Sequence, residues 1–166
     1  MTQSDVLTAL RGFLLAVLPG IEVVLAQINR VPEPQGDNFV TMTPILLERL
    51  ETNTDEFDPL ASTMTITQPI RVTVQLDIHG PAGADNAQTV TTLFRDAYGV
   101  ALFGSNVVPL YTSAPHQLPF ENENQQVEDR WVVDVVMQAN QALTVSQDSA
   151  DQLDVTLIGV EAAYPI

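Results

Sequence analysis

Apolar residues recur at three- and four-residue intervals at Leu7, Leu10, Phe13, Leu14 and Val17, the spacing that gathers side chains on one face of a helix. Ser4 stands where an N-cap is expected and Pro19-Gly20 where a helix must stop. The pattern predicts a helix over 4–18, about four turns at ~3.6 residues each. Residues 21–28 are rich in β-branched side chains and precede a proline- and glycine-bearing stretch over 31–37, which reads as a strand and then a loop, with a continued helix as the competing reading. Residues 39–52 look extended, and Pro44 inside them requires a sheet edge or a bulge. The acidic run over 52–59 then turns the chain. Beyond it Met64, Ile66, Val72, Val74, Leu76 and Ile78 alternate with Thr65, Thr67, Thr73, Gln75, Asp77 and His79, the period of two of a half-buried strand. A long hairpin over 39–78 follows, its tip at 52–59. Because its arms exceed the usual ~5 to 6 residues of a strand, the hairpin is expected to reach past the core onto a neighbouring subunit.

Gly80-Pro81 breaks that strand, and Asp85 is placed to cap a second helix over 85–99 with Ala87, Val90, Leu93, Phe94 and Ala97 on one face, stopped by Gly99 or Gly104. After a short apolar run over 107–111, the loop over 113–126 is long enough to suggest a contact element. Trp131, Val133, Val135 and Met137 alternate with Arg130, Asp134 and Gln138, and 153–160 supplies a last strand, so C-terminal strands are expected within 127–165. No internal repeat is present. Strands and helices do not alternate closely enough for a doubly wound fold. The expectation is an α+β fold over 1–166, a single domain whose mainly antiparallel sheet has two helices packed on one face.

Composition narrows the function. The 166 residues carry a formal charge of -15, and every one of the six basic residues is arginine. A chain this acidic is repelled by phosphates and anionic membranes, so specific nucleic-acid or lipid binding is disfavoured, although DNA can pass by it without being gripped. Without lysine or cysteine, lysine nucleophiles, thiolate catalysis, disulfides and cysteine zinc sites are excluded. The apolar stretch over 14–25 is not a targeting signal, because Asp5 precedes it and Pro19-Gly20 interrupts it. No run reaches the ~20 apolar residues of a membrane span.

Candidate chemistry is sparse. Walker, GxSxG, HExxH and GxGxxG motifs are all absent. Asp77 and His79, two apart on a strand, point to one face and could share a metal or a proton, but without a third ligand a polar pair on the solvated face is the favoured reading. His116 reads as a loop residue. Asp148, Asp151 and Asp154 are evenly spaced, yet the glycine and closing glutamate of an EF-hand are missing, which favours a solvated turn. Glu128 and Asp129 are adjacent and face opposite ways on a strand, a poor acid/base pair. Trp131 at an alternating apolar position reads as core rather than as a stacking platform.

Two segments carry a likeness. The first contains Asn29-Arg30-Val31-Pro32-Glu33-Pro34 within 27–45, and the second contains Asp77-Ile78-His79-Gly80-Pro81 and Asn86 within 74–98. Together they resemble the phage neck terminator family, and more loosely the tail terminators of long-tailed phages, over most of 20–140. The resemblance implies a structural virion protein rather than an enzyme, with no cofactor and no catalytic residue. It implies a homo-oligomeric ring, sixfold, that stops growth of the tail tube, docks on the head connector, adjoins the sheath if the tail is contractile, and lets DNA through. Such a protein is made in the host cytoplasm and resides at the head–tail junction. Asn29, Arg30, Pro32, Pro34, Asp55, Glu56 and Asp58 are the candidate contacts to a neighbour, and Glu121, Glu123, Glu128 and Asp129 the candidate acidic lining of the lumen. For the 29–37 loop, interface and purely structural roles both remain open. The rival functions are a metal-dependent hydrolase built on Asp77 and His79, and a monomeric ligand-binding module, which requires an exposed Trp131.

Overall fold

The computed structural model describes residues 1–26, 34, 36–121 and 127–148. Their order is α1 (Gln3–Val17), β1 (Glu22–Leu25), β2 (Phe39–Arg49), β3 (Thr54–Asp58), β4 (Thr63–His79), α2 (Gly83–Leu93), α3 (Ala97–Leu102), β5 (Val107–Thr112), β6 (His116–Gln117), β7 (Phe120–Glu121), β8 (Val127–Glu128) and β9 (Arg130–Ser146). β4 and β9 pair antiparallel from Thr63↔Ser146 to His79↔Arg130 without a break. Around this ladder the sheet runs β1-β2-β4-β9-β5, with β3 beside β4 and β6 beside β9. Every described pairing in it is antiparallel except that of β1 with β2. The expected α+β architecture holds.

The alternation read from the sequence is the alternation of burial. Val72, Val74, Leu76 and Ile78 of β4 are fully buried, with Val133, Val135 and Met137 opposite the first three. They join Val6, Leu10, Phe13 and Leu14 of α1 and Ala87 and Val90 of α2 in one core. Phe13, Phe94 and Phe103 close it, their ring centroids 5.0–5.6 Å apart. Trp131 is half-buried against this core, so it is no free stacking platform.

Local chemistry moves several element boundaries. Thr2, not Ser4, caps α1, because Asp5 lies three residues on and closes a reciprocal box: the Thr2 amide donates to Asp5 Oδ2 (2.7 Å) and the Asp5 amide to Thr2 Oγ1 (3.3 Å). The Thr2 amide first, and then the Thr2 side chain, hold the Asp5 carboxyl below its usual range. The second helix begins at Gly83 and is divided. α2 ends at Leu93, and Asp96 accepts from the Tyr98 amide (2.9 Å) to start α3, so three helices rather than two cover the sheet. A Cβ at Gly99 would lie 1.9 Å from the Leu93 carbonyl oxygen, so glycine is what lets α3 fold back this closely. Neither Gly99 nor Gly104 stops α2; Gly104, at φ +73°, follows the end of α3 instead.

β1 is a strand, as the β-branched residues suggested. Pro44 satisfies both of its requirements. Among the described residues β1 pairs only as far as Met42, leaving Pro44 on an edge, and the register with β4 shifts between Pro44 and Leu46. The hairpin also exists, but 52–59 is not its tip. Residues 54–58 form β3 and continue the β2 arm along β4, and the chain turns at 59–62, where Asp58 Oδ1 accepts from the Leu60 and Ala61 amides. His116 belongs to the short β6, not to a loop. The strand expected over 153–160 lies outside the described residues.

The opposite face of the sheet carries a polar cluster. Asp77 is 6% exposed. Its Oδ1 accepts from Arg130 Nε (2.9 Å) and Nη2 (2.7 Å) and from Gln75 Nε2 (2.9 Å), while Oδ2 accepts from Thr41 Oγ1 (3.3 Å). His79 stacks on Phe39, centroids 4.3 Å apart. Asp77 and His79 therefore do not form the solvated pair expected from sequence, because strands on either side of β4 supply partners that local spacing cannot reveal.

Two substitutions test this account. Gly99→Ala should cost about 1–3 kcal/mol, the usual range for overpacking, and lower Tm by roughly 2–4 °C per kcal/mol in a chain of this size, read by thermal unfolding. Asp77→Ala should destabilise by about 2–3 kcal/mol, below the ~3–5 of a fully buried pair because Arg130 keeps some solvent. Denaturant titration of Asp77→Ala, Arg130→Met and the double variant should show the double less destabilised than the sum of the singles.

Candidate assembly interface

The β4–β9 ladder outruns the helices. β4 spans about 55 Å at ~3.4 Å per residue, yet only its half from Val72 onward contains buried residues; 63–71 are half-buried throughout. The cover ends at a groove of about 130 Å³ where the start of α1 (Met1, Gln3, Val6) meets Leu47, Ile70 and Ala139. Beyond it β3, the first half of β4 and the end of β9 form a three-stranded arm. Among the described residues nothing packs over it.

Register assigns the arm two unlike faces. Directly paired residues share a face, so Phe57, Met64 and Val145 stand together, as do Asp55, Ile66 and Leu143. This face continues the core face and carries these apolar side chains beside Asp55, with the Gln68–Gln141 pair between them and the core; Leu143 is 60% exposed. The other face carries Thr54, Thr67, Glu56, Thr65, Thr144, Asp58 and Thr63. Thr65 and Thr144 hydroxyls lie 3.4 Å apart on it. Glu48 pairs with Arg71 where the arm leaves the body, and that carboxylate is the first cause holding the Arg71 guanidinium above its usual range.

The predicted contact residues divide accordingly. Asp55, Glu56 and Asp58 all lie exposed on β3, Asp55 on the apolar face and the other two among the threonines. Asn29, Arg30 and Pro32 lie outside the described residues, and Pro34 is half-buried. The end of that loop does meet the second family-like segment. Asn38 Oδ1 accepts from the Ala82 amide (3.2 Å), and a Cβ on Gly80 (φ +100°) would sit 2.1 Å from the Asp37 carbonyl oxygen.

Glu121 and Glu128 fall in the β7–β8 pair, where Phe120 opposes Glu128 and Glu121 opposes Val127. Asp129 is exposed and accepts from Gln117 Nε2 (2.9 Å); Glu123 lies outside the described residues. These positions adjoin the His79↔Arg130 end of the ladder, and β3 adjoins the Thr63↔Ser146 end. The two acidic groups therefore sit at opposite ends of the long strands rather than in one patch. Sequence reading did not find the share of the apolar face that Leu143 and Val145 contribute. A weak alternation over 141–146 was the available signal.

No metal-binding cluster of three or more His, Cys, Asp or Glu occurs among the described residues. Asp148 is described, whereas Asp151 and Asp154 are not. The Asp77 carboxylate is already occupied by arginine, glutamine and threonine donors. No helix among the described residues is long and apolar enough to cross a membrane.

The fold has a solved counterpart. The sheath/tube terminator, in its extended state, of an extracellular contractile injection system (PVC) superposes with a TM-score of 0.59 at 16% identity, covering all of this chain and 65% of that one. This chain thus spans a little under two thirds of that protein's length. No curated protein matches it. The model of a family described as the phage neck terminator protein matches residues 4–161, taking in both the uncovered arm and the Gly80 turn, and with nearly the whole chain matched this protein belongs to the phage neck terminator family.

Proposed function

We propose that this chain is the non-enzymatic subunit of a ring that caps the head-proximal end of a phage tail tube and joins it to the head connector. The observation that carries the reading is the arm: half of a long sheet with an apolar face that none of the described residues covers. Leaving such a surface in water forfeits roughly 25 cal/mol per Å², so a neighbour that buries it gains that energy. Contacts in which one patch meets a different patch on the next copy close into rings, and six copies is the number the family resemblance implies. On this reading the partners are the tube protein, the connector and, in a contractile tail, the sheath. The contact surface is drawn from Asp55, Glu56 and Asp58 on β3 and from the loop bearing Asn29, Arg30, Pro32 and Pro34.

Each copy brings a formal charge of -15. Unpaired carboxylates cannot be buried between subunits without a cost of several kcal/mol each, so part of this charge faces the lumen. Glu121, Glu123, Glu128 and Asp129 are proposed to line it. Phosphates within about 8 Å, the screening length at physiological salt, are then repelled, and DNA slides without being held.

Electron microscopy of the protein with tail tubes should show a closed ring with a central hole at the tube end; monomers or two-fold dimers alone would refute the reading. Hydrogen exchange across 48–67 should slow in the ring relative to the free subunit, and identical exchange would remove the arm from the interface. Replacing Glu121, Glu128 and Asp129 together by lysine should leave assembly intact and slow DNA ejection, read by the release of encapsidated DNA over time; unchanged ejection would place these residues elsewhere.

A further inference from the structure

α3 is made only of Ala97, Tyr98, Gly99, Val100, Ala101 and Leu102, and all but Gly99 are exposed. A helix without a charged residue is ordinarily buried; this one offers Tyr98 (57% exposed) and Leu102 (36%) to solvent four residues apart, hence on one side. It packs on α1 and α2 through Gly99, where Phe13 Cε2 lies 3.2 Å from the position of a Cβ. Just ahead of α3 stands Arg95. It is exposed and, among the described residues, its guanidinium has no ion pair or hydrogen bond. The other described arginines are engaged: Arg11 with the Val23 carbonyl, Arg49 with Glu51 and Asn53, Arg71 with Glu48, and Arg130 with Asp77.

Among the described residues, two of the exposed apolar surfaces carry opposite charge: α3 beside Arg95, and the arm face of Phe57, Met64, Ile66, Leu143 and Val145 with Asp55 in its midst. They lie on different elements, so neither is complementary to itself. We propose that the occupant of α3 is the arm of a second copy of this chain, with Tyr98 and Leu102 against the apolar face and Arg95 paired with Asp55. A surface matched to a different surface on the same chain makes a head-to-tail contact. The charge pair sets register and disfavours the arm-to-arm alternative, which would bring the Asp55 carboxylates of two copies onto one apolar contact. This inference rests on the reading of the chain as a ring subunit and names the surface that receives the arm.

The test is a charge exchange scored on rings formed with tail tubes, using the full chain. Arg95→Glu and Asp55→Arg should each lower ring yield at least tenfold, while the chain carrying both changes returns to within about twofold of the unaltered protein. Rescue in the double variant cannot come from misfolding. Because the chain has no cysteine, a second measurement reports orientation: in rings assembled from a mixture of Asp55→Cys and Arg95→Cys subunits, mild oxidation should yield disulfide between unlike subunits in at least tenfold excess over either like pair. Rings at full yield in both single charge variants, a double variant no better than the singles, or disulfides mainly between like subunits would overturn the α3 contact while leaving the ring standing. Failure of the unaltered chain to form rings would instead overturn the underlying reading and this contact with it.

Discussion

One unbroken backbone ladder, β4 against β9, sets everything else in this molecule. Seventeen consecutive residues pair with seventeen without a bulge, so the division of side chains between two faces is inherited from one end of the sheet to the other. A one-residue slip would turn Val72, Val74, Leu76 and Ile78 out of the core and Asp77 into it. The burial of those four side chains therefore stabilises the register over its whole length, including the half that no described helix covers.

The covered half is closed from both sides by interactions that need close approach. On the helical face the Phe13–Phe94–Phe103 cluster is reached only because Gly99 lets α3 come down on the end of α2. On the other face Asp77 collects donors from β2, β4 and β9. A buried carboxylate with that many partners ties three strands at one level, and its lone pairs are spent on structure rather than on catalysis or metal.

The uncovered half is a different kind of surface. A soluble domain gains by covering apolar strands, and here the covering group is supplied from outside the chain on the ring reading. The same economy applies to α3, a helix without charged residues whose side chains other than Gly99 are exposed. An acidic chain assembling into a ring must also separate its contact surfaces from its repulsive ones. On the proposed ring, carrying one acidic group on β3 and another beside β7–β8, at opposite ends of the long strands, would keep the contact region apart from the lumen lining.

Period and punctuation in the sequence determined the amphipathic α1, the strand Glu22–Leu25 within the stretch read as extended, the alternating strands over 72–78 and 131–137, and the bulge at Pro44, because each depends on residues within a turn or two of one another. The Asn29-to-Pro34 and Asp77-to-Asn86 segments also pointed to the family. Short-range cues misled where two of them competed: Ser4 and Asp85 are plausible caps, but the Thr2–Asp5 box and the Asn38 side chain occupy the helix starts, and Asp96 with Gly99 divides what reads as one helix. Only the tertiary structure decided that Asp77 is buried among donors from three strands, that β3 continues the hairpin arm instead of capping it, and that the apolar faces of the arm and of α3 have no cover among the described residues. Those facts depend on which strands become neighbours, and neighbours far apart in the chain leave no mark in its local pattern.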